Sequence, residues 1–258
     1  MGELFIGTSG YYYDEWKSVF YPKEIKKDDY ISFYANQFDS VEINSSYYNI
    51  PKPQNIISML EKSEYKLRIS IKANRQLTHE IDYNNWTDPS AQFISAIEPI
   101  FQNKLLLSVL FQFPQSFHYD DKNRIYLAAL LDFFSALPLI VEFRHDSWLK
   151  DSVYKTLNEK NVGFCICDMP DLKHLPKFEP IITGENAYIR FHGRNNDNWY
   201  GTNSRDRYDY LYSDEELSHY CYVIKLIQSK AKVVQIYFNN HAKGNATVNA
   251  KKLKLLLT

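Results

Sequence analysis

Short apolar runs that end in polar or charged residues recur eight times along the chain. Each run is long enough for one β-strand, and amphipathic segments suited to helices lie between the runs. Strands that alternate with helices are typical of a parallel sheet, so eight repeats predict a (β/α)₈ barrel. The predicted strands are Leu4–Thr8, Ser40–Asn44, Lys66–Lys72, Leu105–Phe113, Leu139–Phe143, Gly163–Cys167, Ala187–His192 and Val233–Asn239.

The segments between the runs carry apolar residues at helical spacing. In the first, Tyr30, Phe33, Tyr34 and Phe38 fall on roughly one face, as packing with a period of 3.6 requires. The predicted helices are Asp29–Phe38, Pro53–Glu61, Ser90–Phe101, Lys122–Leu137, Val153–Asn161, Val248–Leu257 and Asp214–Ser229, the last with a capping box at Ser213 and Glu216. No shift in composition marks a domain boundary, so residues 1–258 are predicted to form one barrel domain.

Two long stretches follow predicted strands and lack a strong helix signal. Residues 73–89 and 193–212 are therefore expected to form functional loops on the carboxyl-terminal face of the barrel. Residues 194–201 are both polar and aromatic, a composition that suits a lid over a ligand.

Strand alternation predicts which side chains point into the barrel. On the fifth strand Val141 and Phe143 face one way and Glu142 faces the other, and the apolar set must meet the helices. The charged and histidine side chains that this argument turns inward are Glu42, Arg68, Lys72, Glu142, Arg144, Asp168, Arg190 and His192.

Charges buried in this way must be paired or bind a ligand. For the deeper members, Arg68, Glu142 and Arg190, a structural ion-pair network is favoured. For the members at the rim, ligand contact is favoured. These are Lys72, Arg144, His145, His192 and Asn239.

An anionic ligand would suit this ring of cations, because a guanidinium binds two oxygens of a phosphate or carboxylate at once. Glu42 or Glu142 would then serve as general acid or base, and Asp168 would orient a neighbouring side chain.

A metal site is the alternative use of the inward Glu42, Glu142, Asp168 and His192. Each acid has a nearby cation that would compete for it, and no H-x-H or H-E-x-x-H spacing is present. The sequence therefore predicts neither a metal nor another cofactor.

Aromatic and amide side chains at the rim leave alternatives open. Tyr13 and Trp16 follow the first strand, where they could stack on a sugar or base or wedge helices onto the barrel. Asn239 and Asn240 precede the last helix, whose amino-terminal end could hold phosphate or be capped by these amides.

The three cysteines, Cys165, Cys167 and Cys221, lack C-x-x-C spacing, which favours reduced thiols inside a cell. With Asp168 expected to point inward, Cys165 and Cys167 are expected on the helix-facing side, and a nucleophilic cysteine is not expected.

Charge and hydropathy limit the classes of binding partner that we expect for this chain. Lys+Arg 30 against Asp+Glu 31 gives a net charge of -1, so no general attraction to nucleic acid or membrane is expected. The amino terminus lacks the pattern of a signal peptide, and the apolar runs are too short to span a bilayer. A cytoplasmic location is therefore expected, and the oligomeric state stays open.

Several motifs, in order from residue 5 to about 250, resemble those of the YecE-like family, domain of unknown function family 72. They are Gly7-Thr8-Ser9-Gly10-Tyr11 with Tyr13 and Trp16, Phe20-Tyr21-Pro22, Val41-Glu42-Ile43-Asn44-Ser45 with Tyr48, Thr78-His79, Phe143-Arg144-His145 with Ser147-Trp148, Arg190-Phe191-His192-Gly193, Tyr212-Ser213-Asp214-Glu215-Glu216-Leu217 and Tyr237-Phe238-Asn239-Asn240-His241. The resemblance implies a TIM-type barrel in an intracellular protein and no established reaction. It adds His79 to the candidate ligand-binding residues.

Two functions follow as hypotheses, beside the alternative of a barrel with no chemistry that serves as a scaffold for a partner. The first is a ligand-binding barrel that takes a small anionic molecule at its carboxyl-terminal rim, and whether it is an enzyme stays open. The second is a nucleic-acid-binding or repair-associated module that uses rim cations with Tyr13, Trp16 and Trp199. Members of the family have been likened to barrels of the endonuclease-IV type, which is what brings nucleic acid into consideration. The inward histidines are too few for the metal cluster of those enzymes.

Overall fold

The computed structural model describes residues 1–201 and 204–257, in which eight strands form one nearly closed parallel barrel. The strands are β1 (Glu3–Thr8), β2 (Ser40–Ile43), β3 (Arg68–Lys72), β4 (Leu106–Gln112), β5 (Leu139–Glu142), β6 (Gly163–Asp168), β7 (Asn186–Phe191) and β8 (Val233–Phe238). They are hydrogen-bonded in the order β1-β8-β7-β6-β5-β4-β3-β2. A single bridge between Ser9 and Glu42 joins β1 to β2 at their carboxyl ends. The predicted single-domain barrel is confirmed.

Helices occupy most of the connections between strands. They are α1 (Tyr30–Ala35), α2 (Ser45–Tyr48), α3 (Pro53–Lys62), α4 (Thr87–Gln102), α5 (Asp121–Phe133), α6 (Asp151–Glu159), α7 (Ser204–Arg207), α8 (Asp214–Gln228) and α9 (Asn245–Leu257). The capping box at the start of α8 is present, with Ser213 and Glu216 each accepting from the other's backbone amide. Residues 169–185, between β6 and β7, contain no helix. Three prolines in this stretch explain the departure from strict alternation, because proline breaks a helix interior.

The core has two layers, one on each side of the barrel wall. Outside the wall, alternate apolar strand residues such as Val141 pack against the helices, as the alternation predicts. Inside it, small polar groups are linked. Ser70 Oγ lies 3.0 Å from Ser108 Oγ and 2.8 Å from the Tyr188 hydroxyl, and Ser108 donates to Gln235 Oε1 (2.8 Å). The interior is therefore filled, so ligands are confined to its mouth.

The predicted orientation of β6 is wrong. Ile166 lies in the helix-facing core, whereas Cys165 and Cys167 pack inside the barrel. Asp168 consequently points outward, away from the barrel axis. The expectation that an acid at a strand end must face inward failed because the helix side supplies partners for it.

Arg68 also differs from its prediction. It is exposed at the opposite end of β3, where its guanidinium donates to the Lys104 carbonyl, so it takes no part in the interior network. In the part of the chain that the structure describes, no helix has both the length and the apolar character needed to cross a bilayer.

Candidate functional site

A cavity of about 660 Å³ lies over the carboxyl ends of the strands. Its walls come from the connections that follow β1, β2, β3, β5, β7 and β8, together with strand-end residues of β2, β3, β4 and β7. The lining residues are Gly10, Tyr11, Tyr12, Tyr13, Ile43, Asn44, Ser45, Tyr47, Tyr48, Lys72, His79, Gln112, Arg144, Arg190, Arg207, Tyr208, Asn239 and His241. Such a position is where functional groups gather in barrels of this type.

Arg190 is the centre of the charged network beneath the cavity. It is 2% exposed. Its Nη1 donates to Glu142 Oε2 (2.6 Å), and its Nη2 donates to Glu42 Oε1 (2.7 Å). The Tyr188 hydroxyl donates to the other oxygen of Glu42 (2.6 Å). One guanidinium therefore joins the acids of β2 and β5, and both of its terminal nitrogens are engaged.

Glu142 is the most heavily paired acid of this network. Arg144 Nε donates to its Oε1, and Arg190 holds its Oε2. Burial alone would raise the pKa of Glu142, but Arg144 and Arg190 hold that pKa well below its usual range. With an arginine on each oxygen, Glu142 is a fixed anion and a poor general base.

His192 lies beside this pair as a neutral ring. Burial, together with Arg144 and Arg190, lowers the pKa of His192 to about 3. Its Nε2 accepts from Arg144 Nη2 (3.2 Å), and its Nδ1 lies 3.0 Å from the Asn239 side-chain amide. His192 therefore orients Arg144 and carries no charge of its own near neutral pH.

Lys72 reaches the cavity from the end of β3. Its Nζ donates to Gln112 Oε1 (2.7 Å) and lies 4.1 Å from the centre of the Tyr47 ring. Burial lowers the pKa of Lys72 to about 7, and Arg190 and Arg144 add to that effect. The cavity therefore contains an amine that is partly neutral at neutral pH.

His79 and Tyr13, two of the candidate ligand-binding residues, line the cavity. Burial and then Lys72 lower the pKa of His79 to about 3, and its Nδ1 lies 2.9 Å from the Thr78 hydroxyl. The ring of Tyr13 stacks on that of His241 with 4.7 Å between centroids. Burial raises the pKa of Tyr13, so its hydroxyl stays protonated.

Trp16 lies outside the cavity, where it is fully buried and its indole nitrogen donates to the His241 carbonyl (2.8 Å). Its burial favours a packing role between the helices and the barrel over stacking on a ligand. The Asn240 side chain is buried as well and donates to the Tyr210 carbonyl and to Asn249 Oδ1 (both 2.8 Å). It connects loops beneath the rim rather than lining the cavity.

Asp168 and His145 also lie away from the cavity. Both oxygens of Asp168 contact the guanidinium of Arg194 at 2.9 to 3.1 Å. The hydroxyls of Tyr212 and Tyr220 donate to it at 2.5 Å. These contacts identify Asp168 as an anchor for the connection that follows β7. His145 accepts from the backbone amide of Ser147.

Two groups of potential metal ligands occur among the described residues. One combines Glu142, Cys165 and Cys167, and the other combines His145 with Asp146 and His174. In the first group the carboxylate is already occupied by two arginines, and burial raises the pKa of the Cys165 thiol well above its ordinary value. This group does not fit a metal, because a metal needs the thiolate and a free carboxylate oxygen.

Several cavity residues were not among the predicted site residues. Gln112 shares the inward face of β4 with Ser108 and Leu110, so strict alternation along that strand could have identified it. Arg207 and Tyr208 come from the long connection after β7, where no periodic signal places a side chain. The loop of residues 193–212 was predicted to be functional, and these two residues of it form cavity wall. Residues 194–201, for which a lid was expected, do not line the cavity. Part of it, residues 202 and 203, lies outside the described residues.

Comparison with known proteins identifies the family. The family model described as "Protein of unknown function DUF72" matches residues 5–258. The chain is 28% identical to the UPF0759 protein YunF of Bacillus subtilis (strain 168), over 98% of this chain and 94% of that protein.

Solved structures agree with this assignment. A DUF72 family protein from Thermotoga maritima MSB8 has a TM-score of 0.91 at 34% identity, with 99% of each chain covered. A DUF72 family protein from Enterococcus faecalis V583 has the same fold, with a TM-score of 0.86 at 23% identity over 98% of this chain and 95% of that one. The chain therefore belongs to the DUF72 family of proteins of unknown function.

Proposed function

We propose that the protein is a ligand-binding barrel whose cavity takes a small molecule bearing a phosphate or carboxylate group. The observation that supports this most directly is the charge of the cavity wall. Lys72, Arg144, Arg190 and Arg207 line it, and no aspartate or glutamate does so among the described residues. Two acids, Glu42 and Glu142, lie just beneath, so the cationic side chains outnumber the acids.

The cations divide into two roles under this proposal. Arg190 is held between two carboxylates, so it contributes positive potential and fixes the floor of the site. Arg144 donates from Nε to Glu142 and from one terminal nitrogen to His192. Among the described residues Lys72 and Arg207 form no ion pair, which leaves them most able to bind an anion.

The three acids proposed for acid–base roles, Glu42, Glu142 and Asp168, are not suited to proton transfer in the cavity. Glu42 and Glu142 are both committed to Arg190, and Asp168 lies outside the cavity. If the protein catalyses a reaction, its proton-transfer group is therefore sought among the cavity residues with a pKa near neutrality. Lys72 is such a residue.

The nucleic-acid hypothesis receives less support from the aromatic residues chosen for it. Trp16 and Trp199 are buried, with 0% and 3% exposure, so neither offers a free ring face to a base. The net charge of -1 also gives little general attraction to a polyanion. The proposed ligand is accordingly small.

A thermal-shift screen tests the proposal. The probes are inorganic phosphate, pyruvate, glyceraldehyde 3-phosphate and a short single-stranded oligonucleotide, each at low and moderate salt. We expect a small anion to raise the melting temperature of the wild type and of Lys155→Gln, an exposed-lysine control on α6. Lys72→Gln and Arg207→Gln should lose most of that shift. Stabilisation by the oligonucleotide alone, fading with salt, would instead support the nucleic-acid hypothesis.

A further inference from the structure

Lys72 differs from an ordinary surface lysine in its surroundings. In the described part of the chain no carboxylate oxygen lies within 4.0 Å of its Nζ, because the nearby acids are held by arginines. That nitrogen donates to Gln112 Oε1 at 2.7 Å and lies 4.1 Å from the centre of the Tyr47 ring. The amine thus lies against an aromatic wall inside a cavity, without a counter-ion.

The charged groups around Lys72 determine how much of it is neutral. Burial and the guanidiniums of Arg190 and Arg144 favour the uncharged amine, whereas Glu142 and Glu42 favour the ammonium. Three further titratable residues of the wall, His79, Tyr47 and Tyr208, face the same cavity. His79 is neutral at physiological pH, since its pKa is about 3. The balance lowers the pKa of Lys72 to about 7.

A neutral amine held in place by one hydrogen bond has the features of a nucleophile. Gln112 Nε2 donates to the Phe113 carbonyl (2.8 Å), which turns Oε1 of the same amide toward Lys72. Gln112 therefore takes one N–H of the amine and leaves its lone pair available. A desolvated lysine next to other cationic groups is a known arrangement for covalent catalysis on carbonyl compounds.

We propose that Lys72 forms an imine with the carbonyl carbon of a small anionic aldehyde, ketone or 2-oxo acid bound in the cavity. This inference rests on the proposed function, since the cations of the wall would hold the carboxylate or phosphate of the same molecule. It assigns the class of substrate and gives a covalent role to one side chain.

The reaction balances without an oxidant or reductant. The neutral Nζ of Lys72 attacks the carbonyl carbon, a C–N bond forms, the C=O π bond breaks, and one N–H proton is transferred to the oxygen. The resulting carbinolamine loses its hydroxyl group as water together with the second N–H proton, and the nitrogen is left in a C=N bond to the former carbonyl carbon. Hydrolysis by the reverse route releases the carbonyl compound and the free amine.

Reductive trapping tests this proposal on the intact protein. The wild type is incubated with sodium cyanoborohydride and one carbonyl compound, and the adduct is located by peptide mass spectrometry. Pyruvate and glyoxylate present a carboxylate, and glyceraldehyde 3-phosphate presents a phosphate, so the arms distinguish the two anionic groups. We expect the adduct on Lys72, with a yield that rises with pH through about 7.

The expected selectivity follows from the neutral fraction of each amine. At pH 7 an amine with a pKa near 7 has roughly 10³ times the neutral fraction of an ordinary lysine. A weaker base is also a weaker nucleophile, so we expect Lys72 to be labelled at least about tenfold faster than exposed lysines. Lys155 is the internal control within the same digest.

Lys72→Arg separates this proposal from anion binding, because it keeps a cation and cannot form the imine. We expect this variant to retain much of the thermal shift with pyruvate and to give no adduct at position 72. If the wild type is stabilised by these anions but labelled no faster at Lys72 than at Lys155, the nucleophile proposal fails and the anion site stands. If no anion stabilises the wild type and no adduct forms, both proposals fail.

Discussion

Replacing Arg190 with methionine tests whether this residue is primarily the structural centre of the barrel. The change removes the hydrogen bonds to Glu42 (2.7 Å) and Glu142 (2.6 Å) and keeps much of the side-chain volume. Glu142 retains Arg144 as a partner, whereas Glu42 retains only the hydroxyl of Tyr188. One buried carboxylate is therefore left without a cation.

Leaving one buried charge unpaired costs about 3–5 kcal/mol of unfolding free energy. For a chain of this size that loss lowers the melting temperature by roughly 10 °C. Because this cost comes from the unpaired carboxylate, replacing Glu42 with glutamine in the same variant should recover part of the lost stability.

Urea denaturation of three proteins measures this effect. They are the wild type, Arg190→Met, and Arg190→Met combined with Glu42→Gln. The double variant removes the unpaired charge, so we expect it to be more stable at pH 8 than Arg190→Met alone. An Arg190→Met variant within about 1 kcal/mol of the wild type at pH 8 would refute the ion-pair argument. If that variant also lost all anion binding, Arg190 would be a ligand-binding residue instead.

Three further predictions concern other parts of the site. Asp168→Ala should lower the unfolding free energy by about 2–4 kcal/mol, because Arg194 and Tyr212 lose their partner, and should leave anion binding intact. Urea denaturation measures the stability of this variant, and the thermal-shift screen measures its anion binding. The pKa of Lys72 is about 7 in the folded protein against 10.5 when exposed, so between pH 7 and 10.5 the unfolded chain binds more protons than the folded one. The wild type should therefore gain up to about 1.4 kcal/mol of unfolding free energy per pH unit in this range, and Lys72→Met should lose that gain. The pKa of His192 is about 3 in the folded protein, so between about pH 6.5 and 3 this histidine binds a proton only in the unfolded chain. The wild type should therefore lose more stability than His192→Gln as the pH falls through this range. Denaturation at a series of pH values measures the pH dependence for both the Lys72 and the His192 variants.

The barrel and much of its charged interior are predictable from hydrophobic alternation. Glu42, Glu142 and Arg190 were all placed inside the barrel because their neighbours on each strand are apolar and must meet the helices. The same rule applied to β6 would have turned Ile166 outward and the cysteines inward. The prediction for β6 was wrong because an acid at a strand end was expected to face inward, whereas the helix side of the wall provides the partners of Asp168.

Pairing between distant residues was not predictable in the same way. Alternation places Arg190 inside the barrel but does not state that it joins the acids of β2 and β5, since that depends on strand stagger and rotamers. The partners of Asp168 come from positions 26 to 52 residues farther along the chain. No local sequence pattern links the end of β6 to Tyr212, which precedes α8, or to Tyr220, which lies on it. The sequence therefore indicates which charges are buried more reliably than which are free.

Calorimetric titration of the protein with inorganic phosphate and with acetate, neither of which has an aldehyde or ketone carbonyl for Lys72 to attack, tests the central claim most directly. The titrations are made at pH 8 in two buffers of different ionisation enthalpy. An anion in the cavity should raise the pKa of Lys72, so we predict binding that is accompanied by proton uptake. Lys72→Gln should lose the uptake, and the control Lys155→Gln should keep it. Absence of binding by either anion, or binding that is the same in Lys72→Gln and Arg207→Gln as in the wild type, would contradict the assignment of this cavity as an anion site.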